Sequence, residues 1–440
     1  MVNAQLLRPS FYTLLLLTML TSCGTLHSTN RRSFVTPEIF GAKGDGVVDD
    51  TDALKKAFST GMDVILEQQY RVSKSLNLKS SLSGGGTILF DRDGISINCV
   101  ESSISVRDII FDYQRHYGRM VRLNGVTNVT FDSCSFLNVG NLDQKFANGM
   151  VVISDGCTQI NIKGCKFAHC YSSPMFSSQG IWIQQKNKHN HHIYVSDCVF
   201  DDFQTIEDAD AIKVLGGDYD SFLYVNNCEF RKCAKRAMKF QGRECHSSNN
   251  KIYVTEPMHC AIAFQRGFGS STNDTIILNY DGRSKINPDS GLLYRVITIS
   301  QGNVSIDGFY MEDRKTVQNS HQAVIGIVSY DANDMVVSNV SIKNSHFLNG
   351  GSFLKASNQI DVVNKLYICN SDFTVLSNTP TFILYGSKVT SSDINLLLNN
   401  KADYIVRLGV ENIDKKNNKI LIKKNSRIIN GRFYDGDDKN

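Results

Sequence analysis

Proline is scarce in this 440-residue chain, with six in all, and there is a single tryptophan. No dense block of lysine and arginine with interleaved aromatics occurs, so nucleic-acid binding has no support. The formal net charge is only +4. Such a weakly basic surface tolerates an acidic polysaccharide. Beyond the N-terminal region no apolar run reaches the roughly 20 residues that span a bilayer as a helix. What the chain has in quantity is Asn, Ser, Val and Ile, which favour strands and polar turns over long helices and argue against a helical bundle. Hydrophobic residues at 41% against 20% charged exclude wholesale disorder. Length alone allows two or three domains or one long repetitive one.

Arg8 precedes the apolar run Phe11 to Leu20, which fits the core of a signal peptide and is too short to cross a membrane. The run ends in Leu20-Thr21-Ser22-Cys23, which resembles the bacterial lipobox. That resemblance implies removal of residues 1–22, lipidation of Cys23, a polar linker over 23–33, and a body held in the cell envelope at the outer membrane, facing the periplasm or the exterior.

Twelve cysteines less Cys23 leave eleven, an odd number with at least one thiol unpaired. Their spacing is more informative than their number. Cys134-Ser135-Phe136, Cys165-Lys166-Phe167, Cys198-Val199-Phe200 and Cys228-Glu229-Phe230 repeat a Cys-x-Phe pattern at intervals of 31, 33 and 30 residues. A period of this size means stacked units, each of which buries its apolar face only against its neighbours. Alternating segments precede each copy: Val129-Thr130-Phe131, Ile160-Asn161-Ile162, Ile193-Tyr194-Val195 and Leu223-Tyr224-Val225. Alternation of period two marks strands. Serine stands in for cysteine at Ser345 and Ser371, as expected of a small residue in a stacked column, so the cysteines read as small buried hydrophobes. The alternative, a zinc site, lacks an accompanying CxxC pair.

A second strand follows each Cys-x-Phe: Met150 to Ile153, Gly180 to Ile183, Ala211 to Val214, Ala237 to Phe240 and Ala261 to Phe264. Further rungs are expected at Val324 to Val328, Phe353 to Lys355, Phe382 to Leu384 and Ile405 to Leu408. Short strands in turns of about 24 to 33 residues, without helical crossovers, predict an all-β parallel β-helix over 34–430, with a polar tail over 431–440. Residues 268–322 read as less regular, with long loops.

The segment from Phe40 through Gly41-Ala42-Lys43-Gly44-Asp45-Gly46 and Asp49-Asp50-Thr51-Asp52-Ala53-Leu54 resembles the opening signature of the pectate lyase superfamily. The likeness continues through Tyr70-Arg71-Val72 to the glycine run Gly84-Gly85-Gly86. It implies a right-handed parallel β-helix and a class of functions that includes polysaccharide hydrolases, lyases, epimerases and inactive relatives. Asp50 or Thr51 is expected to cap a short helix whose Leu54 and Phe58 plug the end of the solenoid.

With Ile181, Ile183, Ile212, Val214, Met238 and Phe240 inward, the outward columns read Val152, Trp182, Lys213, Lys239, Ala263 and, two residues on, Ser154, Gln184, Leu215, Gln241, Gln265. Neighbouring rungs lie about 4.8 Å apart. Trp182 is expected on an exposed stripe as a flat surface for a sugar ring, with Gln184, Gln241 and Gln265 as hydroxyl partners. Five acids, Asp201, Asp202, Glu207, Asp208 and Asp210, gather just ahead, and Asp210 aligns with Arg236, a pair expected to carry only a small stability term. Asp208-Ala209-Asp210-Ala211 partly resembles the Asn-x-Asp-Gly strand of polygalacturonases, and Arg236-Ala237-Met238-Lys239 their Arg-x-Lys, while a Gly-His-Gly segment and a second aspartate pair are missing.

Two chemistries suit Asp208, Asp210, Arg236, Lys239 and Lys213 as catalytic candidates. In β-elimination, Lys239 or Lys213 takes the proton α to a uronate carboxylate that Arg236 holds. In hydrolysis, Asp208 and Asp210 divide the acid and base roles. The acidic cluster also suits Ca²⁺, although no regular calcium-loop spacing is visible. His259, near Lys235 by alignment, is a further base candidate, and His189, His191 and His192 form a polar loop. The reading is an enzyme cleaving a uronate-containing polysaccharide; the competing class is a catalytically silent glycan-binding or structural lipoprotein on the same scaffold.

Overall fold

The computed structural model describes residues 34–141, 143–173, 175–184, 188–204, 209–215, 221–255, 258–279, 295–300 and 302–314. Beyond these it describes 323–327, 336–350, 352–356, 361–375, 382–384, 393–398, 406–408, 419–422 and 433–434. Residues 1–33, with the expected leader and Cys23, lie outside the described residues, as do Glu207 and Asp208.

Each coil contributes one strand to each of three parallel sheets. In one coil these are Asn148–Ser154, Thr158–Lys163 and Lys166–Tyr171, and in the next Ser178–Gln184, His191–Ser196 and Val199–Gln204. Every strand pairs in parallel with its equivalent one coil later, as in Val151↔Ile181↔Ile212↔Met238↔Ile262↔Ile297 along the first sheet. This is the right-handed parallel β-helix that the repeat predicts. The expected late rungs are present as Ala323–Ile327, Ser352–Ala356, Phe382–Leu384 and Val406–Leu408. The stretch from 268 keeps its described strands in register, with Phe268–Thr272, Thr275–Leu278, Arg295–Ile299, Gly302–Asp307 and Tyr310–Asp313 all joined to their sheets, while 280–294 and 315–322, where the expected long loops fall, lie outside the described residues. Its Gly, Ser and Asn content hides an unbroken alternation of Val304, Ile306 and Met311 toward the core.

The inward columns explain the Cys-x-Phe repeat. The rings of Phe136, Phe167, Phe200 and Phe230 stack at 4.8 Å between successive centroids, which is the rung spacing itself. Beside them Cys134, Cys165, Cys198 and Cys228 each donate a weak Sγ–H bond to a carbonyl one coil back, at 3.4 to 3.7 Å. The ten cysteines from Cys99 to Cys260 are all buried free thiols. Burial pushes the thiols of Cys170 and Cys233 up, away from the reactive thiolate. Where the column continues as Asn250 and Asp274, side-chain oxygens take over: Asn250 Oδ1 accepts from Cys228 N, and Asp274 Oδ1 from Asn250 N, each at 2.8 Å.

From Val106 onward the corner between second and third sheets keeps one length, whereas in the first two coils it is one residue longer, as in Leu82 to Ile88. Five residues separate the inward residue before it from the one after it in Phe131 to Phe136, Ile162 to Phe167, Val195 to Phe200, Val225 to Phe230, Ile306 to Met311 and Ile342 to Phe347. Each corner turns on a left-handed residue, namely Ser133, Gly164, Asp197, Asn227, Gly308 and Asn344, with φ of 49 to 62°. Only glycine or a short polar side chain bonding locally sits there cheaply, and the sequence supplies one each time. From third to first sheet, by contrast, the interval runs from six residues (Tyr70 to Leu76) to twenty-one (Ile276 to Ile297).

The helix Thr51–Phe58 closes the N-terminal end, with Leu54, Ala57 and Phe58 fully buried. Its N-cap residue is Asp50, but the side chain makes no cap bond. The Asp50 carboxylate accepts instead from Lys43 N at 2.7 Å and Gly44 N at 3.1 Å, tying the helix start to the preceding glycine-containing turn.

Candidate functional site

The outer face of the first sheet carries the expected columns in the expected register. Trp182 pairs with Val152 and Lys213, Lys213 with Lys239, and Lys239 with Ala263. Asp210 is opposite Arg236, with Gln179 one coil earlier. Asp210 and Lys213 are three residues apart yet meet, because Ala211 and Ile212 between them both point into the core. This departure from period two brings two outward columns into one cluster.

The cluster is buried, and here the structure corrects the sequence reading. Asp210, Arg236, Lys213 and Trp182 are 0%, 4%, 6% and 7% exposed. The stripe is not an open platform: rungs this close let long side chains cover one another, and the Arg119 guanidinium lies 5.1 Å from the Trp182 ring centroid. The Asp210–Arg236 contact is an internal ion pair, with Nε donating to Oδ1 at 2.6 Å. Lys213 Nζ stands 4.0 Å from Oδ2. A pair this deep does not have the small energy expected of a surface bridge, since removing one partner strands a buried charge.

Electrostatics follow from burial. Burial pushes the Asp210 carboxyl up to about 6 against the pull of Lys213, Lys239 and Lys235, and Arg236 in direct contact adds to that pull. Asp210 is therefore ionised at neutral pH. Burial and then Arg236 push the Lys239 ammonium down to about 8, with Asp210 opposing. Burial also lowers Lys213, again against Asp210. His259 hydrogen-bonds through its backbone N to Lys235 O, as the alignment predicts. Burial and the cations Arg236, Lys235, Arg295 and Lys239 push its imidazole down to about 3. It stays neutral, and so weak a base is a poor proton acceptor.

Several buried polar atoms on this face have no hydrogen-bond partner among the described residues: Gln179 Oε1 and Nε2, Trp182 Nε1, Asp210 Oδ2, His259 Nδ1 and Thr298 Oγ1. Buried polar atoms are normally satisfied, so these donors and acceptors are open to partners from water or a ligand. Gln179 and Thr298 escaped the sequence reading, although the register that places Asp210 and Lys239 also places them. Gln184, Gln241 and Gln265 border the cluster, and Gln241 Nε2 donates to Gln265 Oε1.

Of the described acids in this run, Asp201 and Asp202 stand apart from Asp210. Asp201 and Asp202 sit on the third-sheet strand Val199–Gln204, where Asp202 accepts from Tyr171 OH at 2.8 Å and contacts His169 Nδ1 at 2.7 Å. Asp202 is left-handed at φ 61°, which turns both Phe200 and Phe203 inward and breaks the simple alternation. His189, His191 and His192 stand near the start of the second-sheet strand, with ring centroids 5.6 and 6.4 Å apart in succession. Among the described residues no three His, Cys, Asp or Glu side chains converge as metal ligands.

No family model and no curated protein matches the sequence. Solved structures do. A family 28 exopolygalacturonase of Yersinia enterocolitica is 13% identical over 79% of each chain, with a TM-score of 0.46. An endo-xylogalacturonan hydrolase of Aspergillus tubingensis is 11% identical over 84% of this chain and all of its own, at 0.36. A surface adhesin of Streptococcus pneumoniae is 12% identical over 84% and 93%, also at 0.36. All three scores fall below one half, so the β-helix assignment rests on the register of this chain's own strands.

Proposed function

We propose that the chain is a carbohydrate-active enzyme that cleaves a uronate-containing polysaccharide by β-elimination at the buried cluster of the first sheet. One observation carries this reading: four cations, Lys213, Lys235, Arg236 and Lys239, surround one carboxylate, Asp210, amid unmet polar atoms. The surplus positive charge suits an anionic sugar. Lys239 supplies the base, since an amine lowered to about 8 is partly neutral near physiological pH. Its Nζ takes the C5 proton, the C4–O4 bond breaks with its electron pair leaving on O4, and a C4=C5 double bond forms. The departing oxygen takes a proton from solvent. Lys213 neutralises the uronate carboxylate and so acidifies C5–H. Arg236, committed through Nε to Asp210, is a positioning residue that holds the acid in place and keeps Lys239 basic only weakly.

The test is incubation of the purified protein with a panel of uronate-rich polysaccharides. Elimination gives new reducing ends together with the absorbance of an unsaturated uronate. Reducing ends without that absorbance mean hydrolysis and overturn the elimination step. Binding without either product makes the chain the silent glycan-binding module.

A further inference from the structure

A second set of aromatic side chains lies outside this cluster, on the outer face of the second sheet. Tyr194, Tyr224 and His246 occupy one outward column on successive coils. Tyr194 and Tyr224 stack at 5.3 Å with 17° between planes, and Tyr224 and His246 at 5.0 Å with 19°. The column stops at Tyr194, because the preceding coil carries the small Asn161 at that position. One face of the Tyr194 ring is therefore covered by Tyr224 and the other looks over Asn161. The side chain is 39% exposed, one of the few large apolar groups so open.

The step forms a recess of about 440 Å³ lined by Asn128, Gln159, Asn161, His192 and Tyr194. The His192 ring lies 6.5 Å from that of Tyr194 and 10° from parallel, so both rings face the recess in the same orientation. Asn128, Gln159 and His192 hold the same place on three successive coils, and all are left-handed, with φ of 59, 54 and 53°. Gln and His gain no steric relief there as glycine would, and the conformation costs roughly 1–2 kcal/mol each. Ser103, in the same place one coil earlier, is left-handed too, so the conformation belongs to this corner of the coil, and Gln159 and His192 carry its cost beside the recess.

We propose that this recess binds one pyranose ring of a neutral oligosaccharide. The Tyr194 and His192 faces take the apolar face of the ring, and the amides of Asn128, Gln159 and Asn161 both donate to and accept from its hydroxyls. Among the described residues no carboxylate, lysine or arginine lines the recess, which suits a neutral sugar over the anionic one proposed for the first sheet. The two sites are on different sheets, and neither requires the other.

Saturation-transfer NMR on the full chain with cello-, malto-, laminari- and mannohexaose tests this. At least one of them should bind. Tyr194→Ala should weaken that binding roughly tenfold, whereas Tyr194→Phe, which keeps the ring, and Trp182→Ala, on the other sheet, should leave it within about twofold. Absence of binding by all four sugars overturns the proposal. So does binding that survives Tyr194→Ala, or binding lost in Trp182→Ala alone. Failure of the elimination assay leaves this result unaffected, and the reverse holds too.

Discussion

Lys239 and Arg236 sit side by side, yet substitution should act on them in opposite ways. The folded-state value of Lys239, about 8, lies below the roughly 10.4 of a free lysine, so between those values the unfolded chain binds more protons and stability rises with pH. Lys239→Met keeps the stem and removes the buried charge. Denaturant titrations should show it at least as stable as wild type at pH 7, without the wild-type rise between pH 8 and about 10, while turnover on a cleaved uronate falls by 10² to 10⁴. Turnover of the wild type should climb as pH rises through about 8, because the base must be neutral. Arg236→Met should do the reverse to stability, losing up to about 3–5 kcal/mol, because the buried Asp210 loses its direct hydrogen-bonding cation and keeps only the more distant lysines, Lys213 at 4.0 Å among them. Parallel pH-stability curves for wild type and Lys239→Met would show that Lys239 has an ordinary lysine pKa and no base role.

Within a coil, packing is set by like residues meeting across a rung. Phe167 is covered on both sides, by Phe136 and Phe200, and is fully buried. Phe167→Ala should cost about 3–5 kcal/mol, since two flanking rings held by their own strands cannot close the gap. A midpoint change in chemical denaturation smaller than 1 kcal/mol would mean that the column relaxes freely. These columns were legible in the sequence because Cys-x-Phe and its preceding alternation fix the register directly; Trp182, Lys213 and Lys239 fell into line from that alone. Burial of the same residues was not legible, as it depends on how Arg119 and other long side chains lie across neighbouring rungs. Nor was the separation of Asp202 from Asp210, which follows from a single left-handed residue that shifts the alternation.

The whole molecule is a stack whose coils touch only their neighbours, so stability is passed along the axis rather than shared across it. The helix Thr51–Phe58 covers the first coils with Leu54 and Phe58. Leu54→Asp should open that end, and hydrogen exchange should speed up in the strands Gln69–Val72 and Leu76–Leu78 while Ser178–Gln184 keeps its protection. Uniform acceleration along the chain would mean one cooperative unit instead.

The five-residue corner between second and third sheets bears on how such a chain can change over generations. From Val106 onward, differences in length fall in segments bordering the first sheet, where along the described coils the third-to-first interval ranges from six to twenty-one residues. Doubling the length of a flexible loop costs only about 0.6 kcal/mol. A lineage can thus rebuild the walls of its cleft, and with them its diet, while inheriting the frame unaltered.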